Sequence, residues 1–184
     1  MKEPSLPDKV VAIHERLSQE RIAHAFGGAL ALAYYAEPRA TIDIDVNVFL
    51  PPARFGVVRD ALAPLGVADG VDAEALERDG QCRLWWGRTP IDLFFAYHDL
   101  HDEMKGALRT VPFGDERLPI LSPEHLVVCK ALFDRPKDWL DIEQVLVGVD
   151  DLDVDEIRDW LERLVGADDG RSQRFSAVAR DLLE

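Results

Sequence analysis

The stretch Thr41-Ile42-Asp43-Ile44-Asp45-Val46-Asn47-Val48 alternates between apolar and polar residues, and it decides the fold prediction. Successive side chains of a strand point to opposite faces, so one face would be apolar and the other would carry Asp43 and Asp45. The two carboxylates would lie about 7 Å apart along the strand, where each raises the proton affinity of the other. A hard cation such as Mg²⁺ removes this conflict, because it is bound by one or two carboxylates plus substrate phosphates. The alternative is an edge strand with a solvated polar face.

Composition limits the function classes. The chain has 184 residues, which suits one domain or one domain with a helical appendage. Its net charge of −14, from 21 basic and 35 acidic residues, argues against a general nucleic-acid-binding surface but leaves room for a local basic cleft. No apolar run approaches the ~20 residues that span a bilayer, and residues 1–4 lack the apolar core of a signal peptide. With only Cys82 and Cys129, which we expect to be reduced, the sequence predicts a cytoplasmic protein without a membrane partner.

Periodicity and turn signals divide the chain into a mixed α/β part, residues 1–121, and a helical part, residues 122–184. Strands are predicted at 23–26, 41–49, 81–86, 90–97, 108–113 and 117–121. Helices are predicted at 7–21, 29–36, 51–63, 123–133, 136–147, 153–164 and 171–183. Residues 64–70 read as a loop, and the polar segment 98–107 is assigned no element. The fold class is therefore α/β, or α+β, followed by a C-terminal helical part.

Two further features accompany the acidic strand. Asp92 lies in the apolar run Ile91-Asp92-Leu93-Phe94-Phe95, where an unpaired buried charge would be costly. A bound metal would justify this aspartate; pairing with an arginine or a position at a strand end would also do so. The pair Gly27-Gly28 separates a predicted strand from a predicted helix, and its lack of Cβ atoms would let phosphates approach the backbone. A plain strand-to-helix turn is the alternative.

Together, Gly27-Gly28, Asp43-x-Asp45 and Asp92 resemble the nucleotidyltransferase superfamily, which shares the DNA polymerase beta-like palm. Within it, the chain looks like the AbiEii-type enzymes, several of which are toxins of toxin–antitoxin systems. That group also has a segment similar to Arg135-Pro136-Lys137-Asp138-Trp139-Leu140-Asp141, following a helix that bears a lysine, here Lys130. The resemblance covers roughly residues 22–147 and implies a nucleotidyltransferase-fold mixed sheet with flanking helices. One departure is Ala29, where the family often has Ser or Thr.

The resemblance implies an enzyme that transfers a nucleoside monophosphate from a nucleoside triphosphate to a hydroxyl acceptor, with two divalent ions aiding the displacement. Mg²⁺ is the expected cofactor and Mn²⁺ the alternative. The implied site consists of catalytic Asp43, Asp45, Asp92 and Lys137, of which the three aspartates are metal ligands, and nucleotide-binding Gly27, Gly28, Arg39, Thr41 and Lys130. The acceptor would be RNA such as tRNA, and an antitoxin protein would be a partner.

Several alternatives stay open at this point. Arg39 could pair with Glu37 or Asp43 instead of a phosphate. Lys137 and Asp138 could belong to an ion-pair network at a helix start, with Asp141 pairing with Arg135. The chain could also be a non-catalytic nucleotide-binding or regulatory module, or a small-molecule nucleotidyltransferase of the antibiotic-modifying kind, whose cationic acceptor would suit the acidic surface.

Overall fold

A computed structural model describes residues 3–68 and 70–183. The chain forms two compact units: unit 1 comprises Met1–Gly28 and Ala40–Ile120, and unit 2 comprises Ala29–Arg39 and Leu121–Glu184. Residues 29–39, which were predicted to belong to the α/β part, cluster with the helical unit, and the domain boundary after residue 121 remains a prediction. No helix in the described residues is long and apolar enough to cross a bilayer.

Unit 1 is built on a mixed six-stranded sheet. Its strands are β1 (His24–Phe26), β2 (Ile44–Val48), β3 (Gln81–Trp86), β4 (Thr89–Phe95), β5 (Arg109–Phe113) and β6 (Glu116–Ile120), in the spatial order β3-β4-β2-β1-β6-β5. Strand β2 runs parallel to β4 and antiparallel to β1, and β1 runs parallel to β6. The predicted mixed sheet is confirmed.

Strand β2 lies at the centre of this sheet, and its apolar side chains belong to the core. Ile44, Val46 and Val48 are at most 2% exposed, as the alternation predicts. The strand is shorter than predicted, because pairing with β4 starts only at Ile44 opposite Ile91. Ile42 therefore lies outside the sheet and is 71% exposed, so its predicted place on the apolar face was wrong. Asp43 immediately precedes the strand.

The helices of unit 1 differ most from the prediction. They are α1 (Leu6–Gln19), α3 (Phe55–Leu62), α4 (Ala73–Asp79) and α5 (Asp99–Gly106), and α2 (Gly28–Leu32) joins the two units along the chain. Helix α2 has five residues, fewer than predicted. Helices α4 and α5 were not predicted, because both are short and mostly polar and α5 is capped by a histidine, which is an uncommon cap. The Asp72 carboxylate accepts from two backbone N–H groups at the start of α4, and the His98 ring nitrogen accepts from Leu100 N–H in α5.

Unit 2 is helical, as predicted. Its helices are α6 (Pro123–Phe133), α7 (Pro136–Gly148), α8 (Val154–Val165) and α9 (Gly170–Leu183), all within one residue of the predicted bounds. The Ser122 hydroxyl accepts from the backbone N–H of His125, so the predicted Ser-Pro helix start is confirmed. Trp139, Ile142, Phe175 and Leu161 are buried in the packed faces of these helices.

Candidate functional site

Two of the three predicted acids are neighbours on adjacent strands. Asp45 of β2 is the register partner of Asp92 of β4, and these strands are parallel, so both side chains project from the same face of the sheet. Asp43 lies two residues before Asp45, at the entry to β2. All three carboxylates are partly accessible rather than buried. We call Asp43, Asp45 and Asp92 the acid cluster.

The glycine turn packs directly against Asp45. The backbone N–H of Gly27 donates to the carbonyl oxygen of Asp45 at 3.0 Å, which ties the turn to β2. Gly28 has φ = +51°, and a Cβ atom there would lie 1.7 Å from Asp45 Oδ2. Any side chain at position 28 would therefore displace the Asp45 carboxylate. Glycine is required here by the acid itself, a reason that the sequence did not suggest.

The glycine turn has fewer groups available to bind a phosphate than its sequence suggests. The backbone N–H of Gly27 already donates to the carbonyl oxygen of Asp45, and a contact of Gly27 with a phosphate remains a prediction. The following helix α2 has only five residues, and so short a helix adds little dipole charge. The close approach of a phosphate at Gly28 remains a prediction.

A cation that sequence reasoning missed is paired with the acid cluster. Arg83 of β3 pairs with Asp92 through two hydrogen bonds, Nε to Oδ1 at 2.6 Å and Nη2 to Oδ2 at 2.7 Å. The arginine pairing considered as an alternative for Asp92 is therefore observed. The hydrogen bond to Asp92 raises the pKa of Arg83 above its ordinary value; burial opposes this, and the charges of Asp92, Asp43 and Asp45 reinforce it. One guanidinium thus lies within electrostatic reach of three carboxylates.

The acids suit a divalent ion by chemistry, but their present arrangement does not form a three-ligand site. Carboxylate oxygens are the donors that Mg²⁺ and Mn²⁺ prefer, and three acids around one arginine leave an excess of negative charge. However, no group of three or more His, Cys, Asp or Glu side chains across residues 3–68 and 70–183 is disposed to hold a metal ion. Both oxygens of Asp92 are instead bonded to Arg83. The three carboxylates are the right type of ligand for Mg²⁺ or Mn²⁺, but one of them, Asp92, is paired with Arg83.

Thr41 acts on the acid cluster through the backbone. Its hydroxyl accepts from the N–H of Asp43 at 3.2 Å and lies 3.4 Å from the Asp43 carbonyl oxygen. This local turn holds Asp43 at the entry to β2. A contact of Thr41 with nucleotide remains a prediction.

The remaining predicted site residues, Arg39, Lys130 and Lys137, lie in unit 2. Two of them belong to what we call the buried ion network, which consists of Arg39, Lys130, Arg135, Asp138 and Asp141. Arg39 makes two hydrogen bonds to Asp141, at 3.3 and 3.1 Å, and so pairs with neither Glu37 nor Asp43. Lys130 Nζ donates to Asp141 Oδ2 at 2.6 Å and lies 3.8 Å from Asp138 Oδ1. Lys130, Asp138 and Asp141 are each at most 4% exposed.

The start of helix α7 completes this network. Arg135 donates to Asp138 from its backbone N–H and from its guanidinium, at 3.3, 2.5 and 3.1 Å. The helix-start ion pair considered from the sequence is thus observed for Asp138, but with Arg135 in place of Lys137, and Asp141 pairs with Arg39 and Lys130 rather than Arg135. Lys137 itself is exposed at the first turn of α7. The nucleotide roles of Arg39 and Lys130 and the catalytic role of Lys137 remain predictions.

Arg83 could have been found from the hairpin turn. The prediction assigned Gly87-Arg88-Thr89 to the turn, whereas Thr89 pairs with Trp86 and the turn has two residues. A two-residue turn beginning with a glycine at positive φ, here +62°, is the common hairpin connection. It sets Arg83 opposite Asp92, whereas the longer turn would have shifted the register by one residue and placed Leu84 there.

Comparisons with known proteins place this geometry in a known fold. A scan against models of protein families gave no match, and a search of curated protein sequences gave none either. Among solved structures, the chain resembles the antibiotic-resistance factor ANT(2″)-Ia, with a TM-score of 0.58, 16% identity, and coverage of 98% of this chain and 94% of the other. A second structure of that protein, in complex with adenylyl-2″-tobramycin, gives a TM-score of 0.56 at 14% identity over 96% of this chain and 95% of the other.

The lincosamide antibiotic adenylyltransferase LnuA, bound to lincomycin, is similar over 78% of this chain and 98% of its own, with a TM-score of 0.55 at 11% identity. Identities this low establish the fold and leave the activity to be argued from the site. The similarity of fold confirms the prediction: the chain has the nucleotidyltransferase fold.

Proposed function

We propose that this protein is a metal-dependent nucleotidyltransferase that transfers a nucleoside monophosphate from a nucleoside triphosphate to a hydroxyl acceptor. The observation that carries the proposal is the junction of the glycine turn with the acid cluster. Gly28 packs on the Asp45 carboxylate, and Asp45 is the register partner of Asp92. A triphosphate at the turn would therefore have its phosphates beside carboxylates that can share a cation with them.

The proposed chemistry uses few protein groups. The acceptor hydroxyl attacks the α-phosphorus, a new phosphorus–oxygen bond forms, the α–β bridging bond breaks, and pyrophosphate leaves. Asp92, on the strand beyond Asp45 as seen from the glycine turn, is the proposed base for the hydroxyl proton. Asp43 and Asp45 would hold the Mg²⁺ or Mn²⁺, which neutralises charge on the phosphates when bound. Positioning and charge neutralisation supply most of the rate enhancement in such reactions.

The sequence resemblance adds three basic residues to this proposal. Lys137 is exposed at the start of α7 and carries a positive charge, which suits a role in binding phosphate. Lys130 and Arg39 are paired with Asp141, so we propose that their part is to hold the Arg39 segment and α7 in register within unit 2. Any contact that they make with a nucleotide is secondary to that pairing.

The acceptor has two candidates. The AbiEii-type resemblance favours RNA, specifically tRNA, and a toxin role with an antitoxin partner. A cationic small molecule is the second candidate. It is favoured by the net charge of −14, which disfavours a broad RNA surface, and by the antibiotics named for ANT(2″)-Ia and LnuA. The present observations do not favour the non-catalytic module, since all three acids are retained.

The test is label transfer. The protein is incubated with Mg²⁺ or Mn²⁺ and each of the four α-³²P-labelled nucleoside triphosphates, with either total tRNA or a panel of aminoglycosides and lincosamides. We expect label on one acceptor class and its loss with Asp45→Asn. Asp168→Asn, at an exposed site in unit 2, is the control that retains transfer. The absence of label on every acceptor with all four nucleotides would overturn the proposal.

A separate assay addresses the toxin role. Induced expression of the wild-type chain should arrest bacterial growth, and Asp45→Asn at equal protein level should not. Equal growth of the two strains would leave the transferase standing and remove the toxin role.

A further inference from the structure

The bidentate pair between Arg83 and Asp92 is the feature of unit 1 that the proposed reaction does not use. Arg83 is not one of the residues implied by the resemblance, yet it engages both oxygens of the third acid. The guanidinium uses one lone pair on each oxygen of Asp92 and places a positive charge beside both oxygens, so it repels a divalent ion that approaches the remaining lone pairs. The arginine and a divalent ion therefore compete for the same oxygens.

Burial shows which partner can move. The Asp92 side chain is 18% exposed, whereas the Arg83 side chain is 49% exposed and lies on β3, which pairs only with β4 among the named strands. Arg83 can thus swing toward solvent without opening the core, while Asp92 stays anchored in β4. The Trp85 ring, on the same strand and face, lies 6.0 Å from the Arg83 guanidinium carbon and is itself 46% exposed.

The charge balance favours an internal cation in the metal-free state. Three carboxylates on one sheet face would repel each other, and Arg83 is a basic side chain within electrostatic reach of all three. A second arginine–aspartate pair in unit 1, Arg78 with Asp79, has similar geometry at 2.8 Å for both hydrogen bonds but involves no acid of the cluster. It provides a matched control.

We propose that Arg83 is a built-in counter-ion that occupies Asp92 until a divalent ion displaces it, so that Arg83 sets the affinity of the acid cluster for metal. This inference rests on the proposed metal-dependent function and adds a regulatory residue to it. Metal bound at Asp43 and Asp45 gains Asp92 as a third ligand only when the guanidinium leaves. Arg83 is therefore a positioning residue that keeps Asp92 neutralised between turnovers and weakens metal binding until substrate phosphates add their own ligands.

The primary experiment measures Mn²⁺ binding to the nucleotide-free protein by electron paramagnetic resonance of the free ion. Arg83→Gln should bind Mn²⁺ about tenfold more tightly than wild type, because a hydrogen bond to a charged group has roughly that effect on an equilibrium. Arg83→Lys, which keeps the charge but loses the two-pronged geometry, should lie between them. Arg78→Gln carries the same charge change and should match wild type. Equal or weaker binding by Arg83→Gln would overturn the inference.

A double-mutant cycle tests the route through Asp92. Asp92→Asn should weaken Mn²⁺ binding more in the Arg83→Gln protein than in wild type, because only there is Asp92 available to the metal. Equal effects in both backgrounds would show that Arg83 acts without Asp92 and would overturn the proposed competition. Thermal unfolding of each variant identifies any loss of fold, and Arg83→Lys carries the test if Arg83→Gln does not fold.

A spectroscopic reading follows the arginine itself. Displacement of Arg83 by Mg²⁺ should change the fluorescence of Trp85, and Trp85→Phe should abolish that change while Mg²⁺ still binds. No emission change on Mg²⁺ binding would contradict the movement of the guanidinium. Failure of this inference is distinguishable from failure of the proposed function: label transfer with unchanged Mn²⁺ affinity in Arg83→Gln removes only the counter-ion role, and tighter Mn²⁺ binding without any label transfer removes only the transferase.

Discussion

The acid cluster of unit 1 and the buried ion network of unit 2 are both built from aspartates and basic side chains, but acids outnumber bases in the first and bases outnumber acids in the second. The acid cluster has three carboxylates, is paired with one arginine, Arg83, and is partly open to solvent. The buried ion network has two carboxylates and three cations, and its lysine and both aspartates are buried. An open cluster with excess negative charge is suited to bind a cation, whereas a network in which every buried carboxylate is paired with a cation is suited to hold helices together. The segment resembling AbiEii-type enzymes therefore has an evident structural role.

The largest expected effect breaks the buried ion network. Asp141→Ala leaves the Lys130 ammonium and the Arg39 guanidinium without their main partner, and an uncompensated buried charge typically costs about 3–5 kcal/mol. Urea unfolding should show this loss of unfolding free energy. Asp168→Ala, at an exposed position of the same unit, should change it by less than about 0.5 kcal/mol. Similar small effects for both variants would mean that the network does not stabilise unit 2.

The next largest effect is a pH dependence of stability that originates in unit 1. Burial lowers the pKa of His24, in β1 of unit 1, to about 4 from the ordinary value of 6.5. The tautomer agrees: His24 Nδ1 donates to the Ile22 carbonyl at 2.7 Å, and Nε2 accepts from His14 Nδ1 at 2.9 Å. Between these pKa values the unfolded chain binds the proton and the folded chain does not, so stability falls as pH falls. The loss attributable to His24 should reach about 3 kcal/mol near pH 4.

The measurement is the unfolding free energy from pH 7 to pH 4 for wild type and His24→Asn. The variant should lose the slope of about 1.4 kcal/mol per pH unit that one proton contributes. His98→Asn, at an exposed helix cap that Asn also supports, should keep it. An unchanged slope in His24→Asn would contradict the buried neutral histidine.

A smaller effect concerns the glycine turn. Gly28→Ala forces a side chain into a left-handed backbone conformation and into the Asp45 carboxylate, so we expect a loss of about 1–3 kcal/mol together with loss of triphosphate binding. Gly56→Ala in α3, where a Cβ meets nothing within 4 Å, should be neutral or stabilising by up to about 1 kcal/mol. Unchanged affinity of folded Gly28→Ala for triphosphate would show that the glycine turn is not part of the binding site.

The smallest effect on stability is expected at Lys137. This exposed lysine should tolerate alanine within about 0.5 kcal/mol by thermal unfolding. Its proposed phosphate contact predicts a fall in label transfer of at least about tenfold, corresponding to roughly 1.4 kcal/mol of transition-state stabilisation. Lys105→Ala, at an exposed site of α5, should leave both unchanged. An unchanged transfer rate in Lys137→Ala would reduce the lysine to a surface residue.

Local signals in the sequence predicted the elements that depend on local physics. Ser122-Pro123 marks the start of α6 because both the cap and the proline act within one turn, and the alternation around Asp45 identifies a strand buried on its apolar face. What failed depends on which residues pair between elements. The pair of Arg39 with Asp141 joins residues 102 positions apart, and Arg83 meets Asp92 only if the hairpin turn has two residues. The exposure of Ile42 likewise follows from where β4 begins to pair.

The central claim is that the acid cluster, and not the buried ion network, binds the metal–nucleotide complex. Calorimetric titration of each of the four nucleoside triphosphates with Mg²⁺ into wild type, Asp45→Asn and Asp168→Asn tests it most directly. We predict that wild type and Asp168→Asn bind at least one triphosphate equally well and that folded Asp45→Asn binds it at least about 100-fold more weakly, a loss of roughly 2.7 kcal/mol. Unchanged binding in Asp45→Asn, or no binding of any triphosphate to the wild type, would contradict the account.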